Sequence, residues 1–210
     1  MSVLTAPPPA APSAPLPTRP RPSTYGFDPS AYRFTVRQYE QMTRAGVLTK
    51  DDRGELLEGY PVLKIGHDPG HDGTLDLVKS VLPTVLPADW FLRIQQTVSL
   101  ADSNPEPDVA IVRGTSRTFL ARHPGPADDA LIVEVPNSSL DRDMDDKAVI
   151  YAAGGIAAYW VIDVVNGVVE CFARPAGSTY ADRRTALRPD TLTFDLDGTP
   201  GTLPAADVLP

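Results

Sequence analysis

Apolar residues recur along this chain at two different spacings. Over residues 72–86, Leu75, Val78, Leu82 and Val85 return every three or four positions, which predicts an amphipathic helix that Pro83 kinks or shortens. Residues 91–100, 109–112 and 131–135 are instead runs of apolar and β-branched side chains bounded by Pro, Asn, Asp or Gly, as strands should be. Two further short strands, 56–59 and 61–65, are expected to turn at Gly59. Residues 158–163 and 168–173 read as a hairpin turning at Asn166-Gly167. Ahead of them all, Thr35 and Gln38 have the spacing of a capping box and open a helix that Gly46 ends. A third helix is expected over 142–153, stopped by Gly154-Gly155, and 179–192 adds one or two edge strands.

Helices interspersed with strands make this an α/β chain, and 210 residues suit one domain. Residues 1–24 are dominated by Pro and Ala, which supports neither a helix nor a sheet ladder, so a disordered tail is expected there and a domain over 25–210. Cys171 is the single cysteine and is expected as a small core residue, consistent with a cytoplasmic location. No apolar run is long enough to span a bilayer, so no membrane partner is expected. A formal charge of −8 argues against broad, sequence-independent affinity for nucleic acid, although bound cations or a local basic patch reverse such a field locally.

The chemistry concentrates at strand ends. Asp108 opens one strand after Pro105-Glu106-Pro107, and Glu134 closes another after Leu131-Ile132-Val133. If the two strands are neighbours, their carboxylates converge and raise each other's pKa until a cation is supplied. Mg²⁺ suits such an oxygen-rich site. On the following helix Asp143, Lys147 and Tyr151 share one face, where an ammonium could orient an attacking water. An ordinary Asp143–Lys147 surface pair, worth about 0.2–0.5 kcal/mol, is the plainer reading of the same spacing. His67 and His71 stand four apart, a zinc spacing on a helix, but Pro69 and Gly70 between them predict a loop. Arg113, Arg117 and Arg122 follow the Asp108 strand and are candidates to position phosphates. Tyr159 and Trp160 could stack on bases, but an apolar strand favours a core place for Trp160.

Taken together, Glu55-Leu56-Leu57-Glu58-Gly59, Pro107-Asp108-Val109-Ala110, Ile132-Val133-Glu134-Val135 and Asp143 through Lys147, Tyr151 and Gly154 to Tyr159-Trp160-Val161-Ile162-Asp163 resemble the Uma2 family of the PD-(D/E)xK restriction-endonuclease-like superfamily. The resemblance covers roughly residues 34–172. It implies a mixed β-sheet flanked by helices and a Mg²⁺- or Mn²⁺-dependent nuclease acting on nucleic acid, with DNA the first expectation. By the same resemblance Asp108, Glu134 and the Val135 carbonyl would hold the metal, Lys147 would serve the nucleophile and Glu55 would assist. His71, Arg113, Arg117 and Tyr151 are the candidates for substrate contact. Pro136 occupies the usual place of the superfamily lysine, and Lys147 on the next helix matches the family's own position. Gly54 and Ala158 depart from the tyrosine and glutamate usual at those places. A two-fold dimer is the simplest arrangement for cutting two strands. Two other readings stay open: a nuclease fold kept as an interaction module without turnover, and a metal-dependent hydrolase with a different substrate.

Overall fold

Thr35 caps the first helix, α1 (Val36–Arg44), by accepting from the Gln38 backbone N–H, and the Gln38 side chain returns the bond to Thr35, completing the capping box. The computed structural model describes residues 30–52, 54–64, 66–136 and 142–210, without the side chains of Lys50, Arg142 and Asp143. The expected tail lies outside these residues. Strands β1 (Gly54–Leu57) and β2 (Tyr60–Leu63) form an antiparallel hairpin through Glu58 and Gly59, both with positive φ. At Gly59 a side chain would be strained twice over, since a Cβ would also sit 2.9 Å from that of Arg33.

Helix α2 (Pro69–Val81) begins earlier than the spacing predicts. Asp68 is its N-cap, accepting from the His71 N–H at 2.9 Å. Pro69 and Gly70 are not the breakers they were expected to be, because a proline in the first helical turn removes only an N–H that has no partner there. The helix gives way to a 3₁₀ turn (Leu82–Val85) at Pro83.

A six-stranded sheet follows, in the order β3 (Trp90–Ile94), β4 (Val109–Arg113), β5 (Asp129–Glu134), β6 (Ala158–Asp163), β7 (Val168–Ala176) and β8 (Thr179–Ala186). Its neighbours are antiparallel except β5 and β6, which run parallel. A parallel pair needs a long crossover, and this one carries a π-helical turn (Arg142–Lys147) leading into α3 (Ala148–Gly154). The expected strand over 91–100 stops at Ile94, because Gln95 takes a positive φ of 49° and turns the chain. Of the one or two edge strands expected over 179–192, β8 edges the sheet, while β9 (Thr191–Leu196) runs past that range and forms a separate hairpin with β10 (Thr199–Pro204).

Strand parity sorts the core onto both faces of the sheet. Val109, Ile111, Leu131, Val133, Trp160 and Ile162 pack with Leu75, Val78 and Leu82 of the α2 region and with Leu192, Phe194 and Leu196 of β9. Ala110, Val112, Ile132, Tyr159 and Val161 pack on the opposite face with Ile150 and Tyr151 of α3. Trp160 and Tyr159 are both buried, so neither is presented to a nucleic-acid base. Cys171, partly buried in its strand, has its thiol pushed up to about 12 by burial. No helix among the described residues is long and apolar enough to cross a membrane.

Candidate functional site

Val109 pairs with Val133 across β4 and β5, so Asp108 and Glu134 meet where the two strands end. Both are almost fully buried. One oxygen of each is committed to the protein: Asp108 Oδ2 accepts the Val135 N–H at 2.9 Å, and Glu134 Oε1 accepts from both Lys147 Nζ and the Tyr151 hydroxyl at 2.9 Å. The others are held more loosely. Glu134 Oε2 accepts the Asp108 N–H at 3.3 Å, and Asp108 Oδ1 lies 3.4 Å from the Gln95 amide.

Lys147 and Tyr151 reach Glu134 from the crossover because Glu134 has the parity of Ile132, the α3 side of the sheet. Lys147 Nζ also lies 3.5 Å from Glu55 Oε1, and Glu55 Oε2 accepts the Glu106 N–H at 3.1 Å, tying the hairpin β1–β2 to the site. From the other face, α2 delivers His71, whose Nδ1 is 2.6 Å from the Val135 carbonyl and whose Nε2 is 3.7 Å from Asp108 Oδ1. His67 stacks on His71 with ring centroids 4.1 Å apart. Donor atoms of His67, His71 and Asp108 all lie within 4.8 Å of one another.

The electrostatics are those of a crowded acidic centre. Burial, and then the charge of Glu134, push the Asp108 carboxyl up to about 6, against the pull of the Val135 N–H and His71. Burial also opposes ionisation of Glu134, but Lys147, Lys64 and the hydrogen bonds from Lys147 and Tyr151 outweigh it and hold this carboxyl below its usual range. Glu106 is raised, by burial first and by Glu55, with Lys64 opposing. Four carboxylates, Glu55, Glu106, Asp108 and Glu134, thus share two lysines, Lys64 and Lys147. That surplus of negative charge is the kind a dication relieves, so the residues fit a divalent metal. A cleft of about 570 Å³ adjoins this centre through Lys64, His67, Gln95 and Glu106, with Tyr39 and Thr97 among its other walls.

Glu55, Asp108, Glu134, Val135, Lys147, Tyr151 and His71 are therefore brought together, though two in different settings from those expected. His71 is a buried helical residue rather than a loop histidine, and Tyr151 is fully buried, where it supports Glu134 and does not face a substrate. The arginines are not part of the site. Arg113 sits at the far end of β4 from Asp108, roughly 17 Å along a five-residue strand, paired with Asp197 and near Asp89. Arg117 lies in the 3₁₀ turn just beyond it, and Arg122 is fork-bonded to Asp128. Gln95, Lys64 and Glu106 also stand at the site, and nothing in their sequence spacing separates them from ordinary surface residues.

A family model described as "Uma2: Putative restriction endonuclease" matches residues 36–201. Among solved structures, the crystal structure of "a putative nuclease belonging to DUF820 from Anabaena variabilis ATCC 29413" superposes with a TM-score of 0.63, covering 83% of this chain and 97% of that one at 14% identity. No curated protein matches the sequence. The fold is therefore the α/β arrangement of that nuclease neighbour, and the chain belongs to the Uma2 family of restriction-endonuclease-like proteins.

Proposed function

We propose that this protein is a divalent-metal-dependent nuclease that hydrolyses phosphodiester bonds, with DNA as the expected substrate. One observation carries the reading: two buried strand-end carboxylates, Asp108 and Glu134, meet beside a buried lysine that is bonded to one of them. Asp108, Glu134 and the Val135 carbonyl, which keeps a lone pair beside its bond to His71, would hold the metal. When bound, it supplies charge neutralisation at phosphate and acidifies water.

The chain's own groups set the rest of the reaction. Lys147 is fixed by Glu134 and Glu55, so its ammonium is held in place beside the two carboxylates, and it orients the water and offsets negative charge gathering on phosphorus. Tyr151 keeps Glu134 ionised and pointed at its neighbours. As the water attacks, it gives up a proton and the departing ester oxygen gains one, while the phosphorus–oxygen bond to that leaving group breaks. The cleft lined by His67, Gln95 and Lys64 is the approach for the strand.

The test is cleavage of supercoiled and single-stranded DNA, and of RNA, with Mg²⁺ or Mn²⁺ and in chelator. Expected is metal-dependent cleavage lost in Asp108→Ala and Lys147→Ala and retained in Arg117→Ala. Nucleic-acid binding that persists in chelator with no cleavage of any substrate would replace this reading with an interaction module.

A further inference from the structure

The proposed metal site contains a feature that an oxygen-only site for Mg²⁺ does not need. His71 Nδ1 lies 2.6 Å from the Val135 carbonyl, and a carbonyl can only accept, so Nδ1 carries the proton. In the neutral ring Nε2 is then a bare lone pair. It is buried and, among the described residues, has no hydrogen-bond partner, in a side chain only 4% exposed. The nearest acidic atom is Asp108 Oδ1 at 3.7 Å, too far for a hydrogen bond. Two acceptors facing each other inside a protein repel unless something positive lies between them.

A first-row dication is the species that this gap fits. Bonded to an imidazole nitrogen and a carboxylate oxygen at about 2.0–2.2 Å each, it holds its donors roughly 3–3.5 Å apart, close to the spacing here. The Nδ1–H bond to a backbone carbonyl is also the arrangement that fixes the tautomer of a ligating histidine and aims its other nitrogen. His67, stacked on His71 with a side chain 23% exposed, brings a second imidazole within reach from the cleft side. Imidazole donors favour transition metals, whereas Mg²⁺ prefers oxygen and water.

We propose, resting on the nuclease reading above, that His71 Nε2 is a metal ligand alongside Asp108, assisted by His67, and that the centre selects transition-metal dications over Mg²⁺. The alternative chemistry for the same contact is a protonated His71 paired with Asp108 and no nitrogen on the metal.

Titration calorimetry of Co²⁺ and of Mg²⁺ into the full chain, with the visible absorption of bound Co²⁺ as a second readout, separates these. Expected is Co²⁺ binding at least about tenfold tighter than Mg²⁺, with nitrogen ligation in the Co²⁺ spectrum. In His71→Ala that preference should collapse to within about threefold and the spectrum should change, with Mg²⁺ binding retained as evidence that the site has not unfolded. His67→Ala, a change at the cleft wall, should weaken Co²⁺ but not Mg²⁺, and serves if His71→Ala fails to fold. Equal affinities in the wild type, or a preference untouched by both substitutions, overturns the histidine ligand while leaving the nuclease reading intact. No metal binding at all, in wild type as in Asp108→Ala, sinks both.

Discussion

Lys147 Nζ lies 2.9 Å from Glu134 Oε1, and both side chains are sealed from solvent, 6% and 4% exposed. An ion pair this deep adds little net stability over a well-packed apolar pair, but removing one partner strands a charge. Lys147→Met should therefore destabilise the protein by about 3–5 kcal/mol, and Glu134→Gln in the same chain should recover much of the loss. Urea denaturation of the two single variants and the double variant measures it; simple additivity would contradict the coupling.

Tyr151→Phe keeps the ring contact with Tyr159, 4.9 Å between centroids, and deletes only the hydroxyl bonded to Glu134. A hydrogen bond to an ionised group contributes about 1.5–3 kcal/mol, so a loss in that range is expected from denaturant midpoints at neutral pH. A change within the error of the measurement would mean that the hydroxyl does not support Glu134.

Asp129 opens β5 with both carboxylate oxygens buried and, among the described residues, without hydrogen-bond partners. Burial, with the charge of Asp128 adding and that of Arg93 opposing, pushes it up to about 8, from an ordinary 3.8. The folded value is the higher one, so between these limits the native state holds a proton that the unfolded chain has released. Its contribution to stability falls as pH rises from about 4 to about 8, with a slope approaching about 1.4 kcal/mol per unit. Asp129→Asn should remove that slope and gain most at the alkaline end. Denaturation midpoints at about pH 5 and about pH 8 check it, and parallel curves for wild type and variant would count against it.

Gly201 lies under the Phe194 ring, where a Cβ would meet ring carbons at 2.5 Å, and Phe194 stands edge-on to Trp160 at 5.5 Å. Gly201→Val should push the phenylalanine off the tryptophan and cost about 1–3 kcal/mol by overpacking, visible as a lower melting temperature and altered Trp fluorescence. An unchanged melt would show that the hairpin can shift as a body.

Where local chemistry decides structure, the residues could be read directly. The Thr35 capping box, the Gly59 turn and the two strand-end carboxylates lie where their spacing puts them. Errors arose where a local signal has two meanings. Pro69-Gly70 reads as a breaker, yet proline is also a good first-turn residue, and choosing the wrong meaning turned His71 into a loop residue. Pro200, Gly201 and Pro204 hid β10, which tolerates them because it pairs on one side only, with β9. Long-range placement was harder still. Nearness in sequence groups the three arginines with Asp108, but a strand carries its two ends apart. The π-helical turn that delivers Lys147 leaves no mark in the apolar period.

The parallel step from β5 to β6 also fixes an order of events during synthesis. Glu55, Asp108 and Glu134 all leave the ribosome before Lys147, because the crossover that carries the lysine comes after them in the chain. Until it docks, Lys64 is the lysine these acids have beside them, and β5 lacks its parallel neighbour. A product truncated after β5 therefore carries the acids of the site without the lysine that pairs with Glu134 and Glu55.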